Sequence, residues 1–180
     1  MRILVGILIT MLAGPALSEI PELFVDTGAC PGEGCGYNNL YKAQVEVRVF
    51  EKPAISSPAV GVVSAGDTFI SKHGEVHTVP TRFDVHRDSG PFAPGDEVYA
   101  VTYLGEGHFR VFHNGELVSA DLGFSPWGGG AGKTCDRPEY CFGRLSKELE
   151  FTWWLFVLSE TGLEGWVVAD KSIRQVEPKW

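Results

Sequence analysis

The sequence predicts an all-β protein, and three observations carry that expectation. Thr152–Val168 reads as a hairpin: an aromatic and aliphatic run from Trp153 to Leu158, a polar glycine-bearing turn, and a second short run opening on Trp166. Three tryptophans in one hairpin bring a large area to bury, so the hairpin belongs at a core. Val45, Val47 and Val49 alternate with Glu46 and Arg48, the period-two pattern of a strand with one apolar face. Short apolar runs also recur between Pro/Ser and Gly-Asp turns, as in Ala59–Val63, Ser64–Asp67 and Thr68–Ile70, the spacing of a small barrel or sandwich.

Taken in order, the chain opens on Met1-Arg2, an apolar run Ile3–Ala13, Gly14-Pro15 and Ala16-Leu17-Ser18. A basic start, a short apolar stretch and small residues make residues 1–18 a secretory signal cut after Ser18. The competing reading is an uncleaved anchor, but the run is short for a bilayer, and no later segment reads as a membrane span. Residues 19–40 form a lead-in that carries Cys30 and Cys35 and is too rich in Gly and Pro for a helix or strand. A β domain follows over 41–180, with an insertion at about 74–150. Tyr41–Phe50 is its first strand, and a two-proline loop leads to Ala59–Val63. Inside the insertion, Asp96–Leu104 and His108–Phe112 are strands around Gly105–Gly107, and Asn114-Gly115 is the strongest short hairpin signal. This meander either extends the barrel or forms a second packed subdomain. Ser125–Arg144 is glycine-rich, Leu145–Glu150 reads as one or two helical turns, and Ile173–Trp180 is a tail.

The formal charge is −8, and losing Arg2 with the leader makes it more negative. Such a chain has no electrostatic footprint for nucleic acid or anionic lipid, whereas basic peptides and amine-bearing polymers fit it. All four cysteines, Cys30, Cys35, Cys135 and Cys141, follow the leader. An even count in an exported protein reads as two disulfides in one of three pairings, and places the protein in the periplasm or outside the cell. A zinc site is the rival, but Cys-x4-Cys and Cys-x5-Cys are loose against the usual spacing of about two to four residues.

The run from Val45 through Val47, Phe50, Pro53 and Ser56-Ser57-Pro58-Ala59-Val60-Gly61-Val62-Val63 to Gly66-Asp67 resembles the first half of a bacterial SH3-like domain. Trp154–Val157 followed by Gly165-Trp166-Val167 is similar to the end of that motif. The likeness implies an SH3-like small barrel over Val45–Ile70 and Thr152–Ile173, with a long β-rich insertion or two packed SH3-like subdomains. The chain departs from the pattern by the eighty or so residues between its halves. Gly74-Glu75-Val76-His77-Thr78, Pro94-Gly95-Asp96 with Val98-Tyr99, and Thr102–Gly107 also resemble uncharacterised exported bacterial proteins with SH3-like regions.

Few motifs carry chemistry. Trp127–Thr134 approaches a phosphate loop, but Trp127 stands where the first glycine is needed, Pro126 precedes and Cys135 follows, so it reads as a glycine-rich loop. His73, Glu75 and His77 alternate, so one strand face presents two imidazoles and a carboxylate, with His86 as a further candidate; these are the metal candidates, against a solvated polar face. No Gly-x-Ser-x-Gly elbow is present, and paired cysteines leave no catalytic thiolate. No cofactor is expected. Trp153 and Trp154 must face opposite sides of their strand. Trp154, Trp166, Tyr99 and Tyr103 are the candidate stacking surface. The expected function is non-catalytic binding in the bacterial envelope, to peptidoglycan or a protein partner. The alternatives are an envelope hydrolase or metal-binding protein using His73, Glu75 and His77, and a structural accessory protein.

Overall fold

The computed structural model describes residues 19–126 and 141–177. The leader, the Trp127–Thr134 loop and Cys135 lie outside them. All regular structure among the described residues is β. The strands are β1 (Phe24–Thr27), β2 (Leu40–Ala43), β3 (Val47–Phe50), β4 (Ala59–Val63), β5 (Thr68–Val79), β6 (Thr81–Val85), β7 (Val98–Gly105), β8 (His108–His113), β9 (Glu116–Asp121), β10 (Gly143–Leu145), β11 (Glu150–Ser159), β12 (Glu164–Val168) and β13 (Ile173–Gln175).

The first sheet runs β13-β2-β5-β11-β12-β3-β4, and β1 joins β5 beyond the end of β2. The chain forces this sheet to curl. β4 reaches β5 through the short turn Ser64–Asp67, closed by Asp67 N–H donating to Ser64 O (3.1 Å). Yet β11, β12 and β3 stand between them in hydrogen-bond order. Four strand spacings on a flat sheet come to about 19 Å, and five fully extended residues reach only about 17 Å. Curling removes the conflict. The inner face collects Val49, Val63, Phe69, Leu155, Val157 and Val167.

Pro80 sits between β5 and β6 and has no N–H to donate, so the strand ladder breaks there and the chain enters the second sheet, ordered β10-β6-β7-β8-β9. That sheet spans Thr81–Leu145. Gly74–Val79 pair with β11 as part of the first sheet, so the second sheet is inserted after Val79 and returns at Glu150. Its core is aromatic: Phe83, Phe92, Tyr103, Phe109, Phe124 and Phe142 pack together with Leu122 and Leu145. Asn114 and Gly115 close the β8–β9 hairpin with φ of 50° and 85°, the left-handed pair that such a turn needs.

Four local expectations are corrected. The Tyr41–Phe50 strand is two strands, broken where Gln44 N–H turns away to Ser172 O (2.7 Å), and this leaves Val45 55% exposed instead of sharing a face with Val47. The lead-in contains β1, because Phe24–Thr27 find the open edge of β5 at Glu75–Thr78. Leu145–Glu150 holds no helical turn; β10 ends at Leu145 and β11 begins at Glu150. The tail pairs with β2 as far as Gln175.

The lead-in also ties the sheets together. Asp26 on β1 accepts from Arg110 Nη1 on β8 at 2.8 Å, and Phe24 meets Phe112 edge-on at 5.6 Å. The Cys30–Cys35 disulfide closes the next loop, and such a bond fits an oxidising compartment. Cys141 is also disulfide-bonded.

Candidate functional site

Where the lead-in crosses between the sheets it roofs an apolar cleft of about 500 Å³. Tyr103, Phe151, Trp153 and Ala169 form its walls, and Pro31–Glu33 with Cys35 form its roof. Two hydrogen bonds fix the roof. Glu33 Oε1 accepts from the Tyr103 hydroxyl (3.2 Å) and from the Glu106 N–H (3.0 Å). Glu106 takes φ of 50° in the tight β7–β8 turn, which aims its N–H outward at the loop. Behind the disulfide, the Tyr37 hydroxyl donates to Ala29 O. Burial pushes the Tyr37 pKa up, the Asp26 and Glu75 charges add to the rise, and the nearby Trp153 indole opposes it. The indole Nε1 of Trp153 is buried with no hydrogen-bond partner.

A second cleft, of about 530 Å³, lies on the other side of Phe151, which walls both. Leu23, Ile55, Val79, Leu149 and Trp154 make it apolar, and His77 and Glu150 stand at its margin. The loop holding Ile55 closes on itself, with Lys52 N–H donating to Ser57 Oγ (3.0 Å) and Glu51 N–H to Pro58 O (3.0 Å).

The predicted stacking surface does not assemble. Trp153 and Trp154 do face opposite ways, but Trp154 is only 2% exposed, packed edge-on by Phe50 at 5.8 Å and set beneath the second cleft. Tyr103 is 2% exposed and belongs to the core of the second sheet, with its ring 5.1 Å from Phe109. Tyr99 lies on the opposite face of β7. Strict alternation would put the two tyrosines on one side, but the ladder skips Val101 and the parity flips. Trp166 and Tyr99 are both partly exposed but lie on different sheets, Trp166 being grouped with Phe156 (5.5 Å) and His73 (5.3 Å) on the outer face of the first sheet.

His73, Glu75 and His77 do share one strand face, because all three lie beyond the irregularity at Lys72. They do not converge. His77 Nε2 pairs with Glu75 Oε1 at 2.6 Å, and His73 stacks on Phe156 at 4.8 Å. Among the described residues no three His, Cys, Asp or Glu side chains form a metal-binding group. His86 follows the end of β6 and is exposed.

No protein-family model, curated protein or solved structure matches the chain.

A third ionisable cluster serves the fold. Asp96 accepts from Ala93 N–H (2.9 Å) and contacts His113 Nε2 (2.9 Å), which pins the turn before β7 to the end of β8. The Ala93 hydrogen bond, then His113, holds the Asp96 carboxyl below the usual carboxylate range.

Sequence reasoning missed the roof and Phe151. The cysteines predict disulfides in one of three pairings, but nothing local says that Glu33 meets Tyr103 seventy residues away.

Proposed function

We propose that the chain is a non-catalytic binding module of the bacterial envelope, exported and built on an SH3-like frame, and that its ligand is a short peptide segment. The peptide stem of peptidoglycan and a segment of a protein partner share that chemistry. The observation that carries this reading is the apolar cleft under the disulfide loop, with Tyr103, Phe151 and Trp153 as walls and one hydrogen-bonded carboxylate at its roof. An apolar concavity of this size with few polar groups suits a small ligand or peptide anchor. Glu33 and the Tyr103 hydroxyl are hydrogen-bonded to each other, which suits holding a loop in place better than moving a proton.

The test is retention of the exported, disulfide-bonded chain on purified peptidoglycan sacculi and on immobilised envelope proteins, with Phe151→Ala run beside it. Retention on one of the two surfaces that falls about tenfold in the variant supports the cleft and identifies the source of the peptide. Equal retention of the two proteins, with near-UV circular dichroism showing both folded, overturns it.

A further inference from the structure

Among the described residues four strands end the two sheets: β4 and β13 in the first, β9 and β10 in the second. An open sheet end presents unpaired N–H and C=O groups, and a charged side chain there discourages another strand from adding. β13 carries Arg174, β10 carries Arg144, and β9 carries Glu116 and Asp121, all exposed. β4 carries no charge. Its residues, Ala59-Val60-Gly61-Val62-Val63, have no polar side chain, and Val60 and Val62 are 48% and 47% exposed. Its strand partner is β3, and among the described residues no backbone hydrogen bond outside the ladders reaches Ala59–Val63. We propose that β4 is a self-association edge, which pairs antiparallel with β4 of a second copy of this chain and joins two first sheets into one.

The inference goes beyond the binding-module reading and does not depend on it. The strand selects its own copy because it is nearly symmetric about Gly61. Antiparallel pairing centred there sets Ala59 opposite the second copy's Val63, Val60 opposite its Val62, and Gly61 opposite its Gly61. Val60 and Val62 share the outward face, since Val63 is buried on the other. Each outward valine therefore meets a valine, a favourable cross-strand pair. A two-fold contact uses the same patch twice and closes at the dimer. No charge on this edge would select a foreign strand instead.

Analytical ultracentrifugation of the exported, disulfide-bonded chain tests it, from about 10 μM to about 1 mM. A pairing this short is small against a stable interface, so the dimer dissociates reversibly with a Kd on the order of 100 μM. Val62→Lys places an ammonium on the exposed face of the edge. It shifts the thermal midpoint by no more than about 2 °C, as a surface change does, and weakens the dimer at least about tenfold. Hydrogen exchange at the β4 amides slows as the wild-type concentration rises and stays constant in the variant. A wild type still monomeric at about 1 mM overturns the proposal. A dimer left unchanged by Val62→Lys puts the interface elsewhere and overturns it too, as does association that continues past the dimer. A monomer whose retention on immobilised envelope proteins is lost in Val62→Lys gives the edge to a partner's strand and overturns self-pairing.

Discussion

The first sheet closes mainly on aliphatic side chains delivered by strands, the second on aromatic rings of which half come from strands and half from loops. Val49, Val63, Leu155, Val157 and Val167 come from β3, β4, β11 and β12, and their alternation fixes which face each strand buries. In the second sheet Phe83, Tyr103 and Phe109 come from strands, and Phe92, Leu122, Phe124 and Phe142 come from the segments between them. Phe83 lies against both Phe124 (6.1 Å) and Phe142 (5.3 Å). A core that loops help to fill is more sensitive to a change in those loops than one filled by strands. The lead-in then makes one protein of the two, since Asp26, Phe24 and Glu33 each contact the second sheet.

The largest expected effect comes from breaking the aromatic core. Phe83 is fully buried, and Phe83→Ala costs about 3–5 kcal/mol. Trp153, Trp154 and Trp166 all lie in the first sheet, so in a background carrying Trp127→Phe and Trp180→Phe the tryptophan fluorescence follows that sheet. With the lead-in coupling the sheets, the urea midpoint read by tryptophan falls in the variant along with the far-ultraviolet signal. A tryptophan midpoint left at the wild-type value would mean that the sheets unfold independently.

A smaller change sharpens the same point. Arg110 is 43% exposed on its side chain, while Asp26 is 4% exposed and its Oδ2 already lacks a partner. Arg110→Ala strands a buried carboxylate, at a cost of about 2 kcal/mol once the exposure of the arginine is discounted. The two probes should then separate, because the link between the sheets is weakened and neither core is touched. Coincident transitions in this variant would assign the coupling to Phe24 and Glu33 instead.

The same contrast explains what could be read in advance. β4 is legible to the residue, because Ala59–Val63 is an apolar run bounded by Pro58 and Ser64. The closing hairpin is equally plain, since Trp154–Leu158 pair with Glu164–Val168. β1 is illegible, because Phe24–Thr27 has no pattern of its own and is strand only through its partner β5. Tyr99 and Tyr103 mislead because a bulge leaves no mark in a run as uniform as Val98–Leu104. The first cleft is hidden for a different reason: five separate segments build it, at Pro31–Cys35, Tyr103, Ser125, Phe151 with Trp153, and Ala169, and period-two reasoning reaches only along one strand. What the sequence did disclose of the site is Tyr103 as a candidate binding aromatic and the cysteines as disulfides, with their pairing open. Gly74 shows a constraint visible only in three dimensions. A Cβ there would run into the Trp154 carbonyl and lie 2.9 Å from the Tyr37 ring, so this glycine is what lets the lead-in lie down on β5.

Tyr37, in that contact, supplies the smallest effect. Its hydroxyl donates to Ala29 O, and Tyr37→Phe costs about 1 kcal/mol at neutral pH through that bond. Its folded pKa is raised, first by burial, so folding favours the neutral phenol. The sign follows from linkage. The contribution is fully present below the ordinary phenol value of about 10, and it is lost as pH rises through the higher folded value. The stability of the wild type therefore falls in that alkaline window, and the Phe variant, with no phenol to ionise at this position, falls less. Tyr41 is raised by burial in the same way and remains in both proteins, so the variant keeps part of the slope. Urea midpoints measured from about pH 8 to pH 11 should show the gap between the two proteins closing as the phenol ionises. A gap that stays constant would mean that the Tyr37 hydroxyl is not held neutral by the fold, and that the lead-in is tied to the first sheet through Gly74 and the β1 ladder alone.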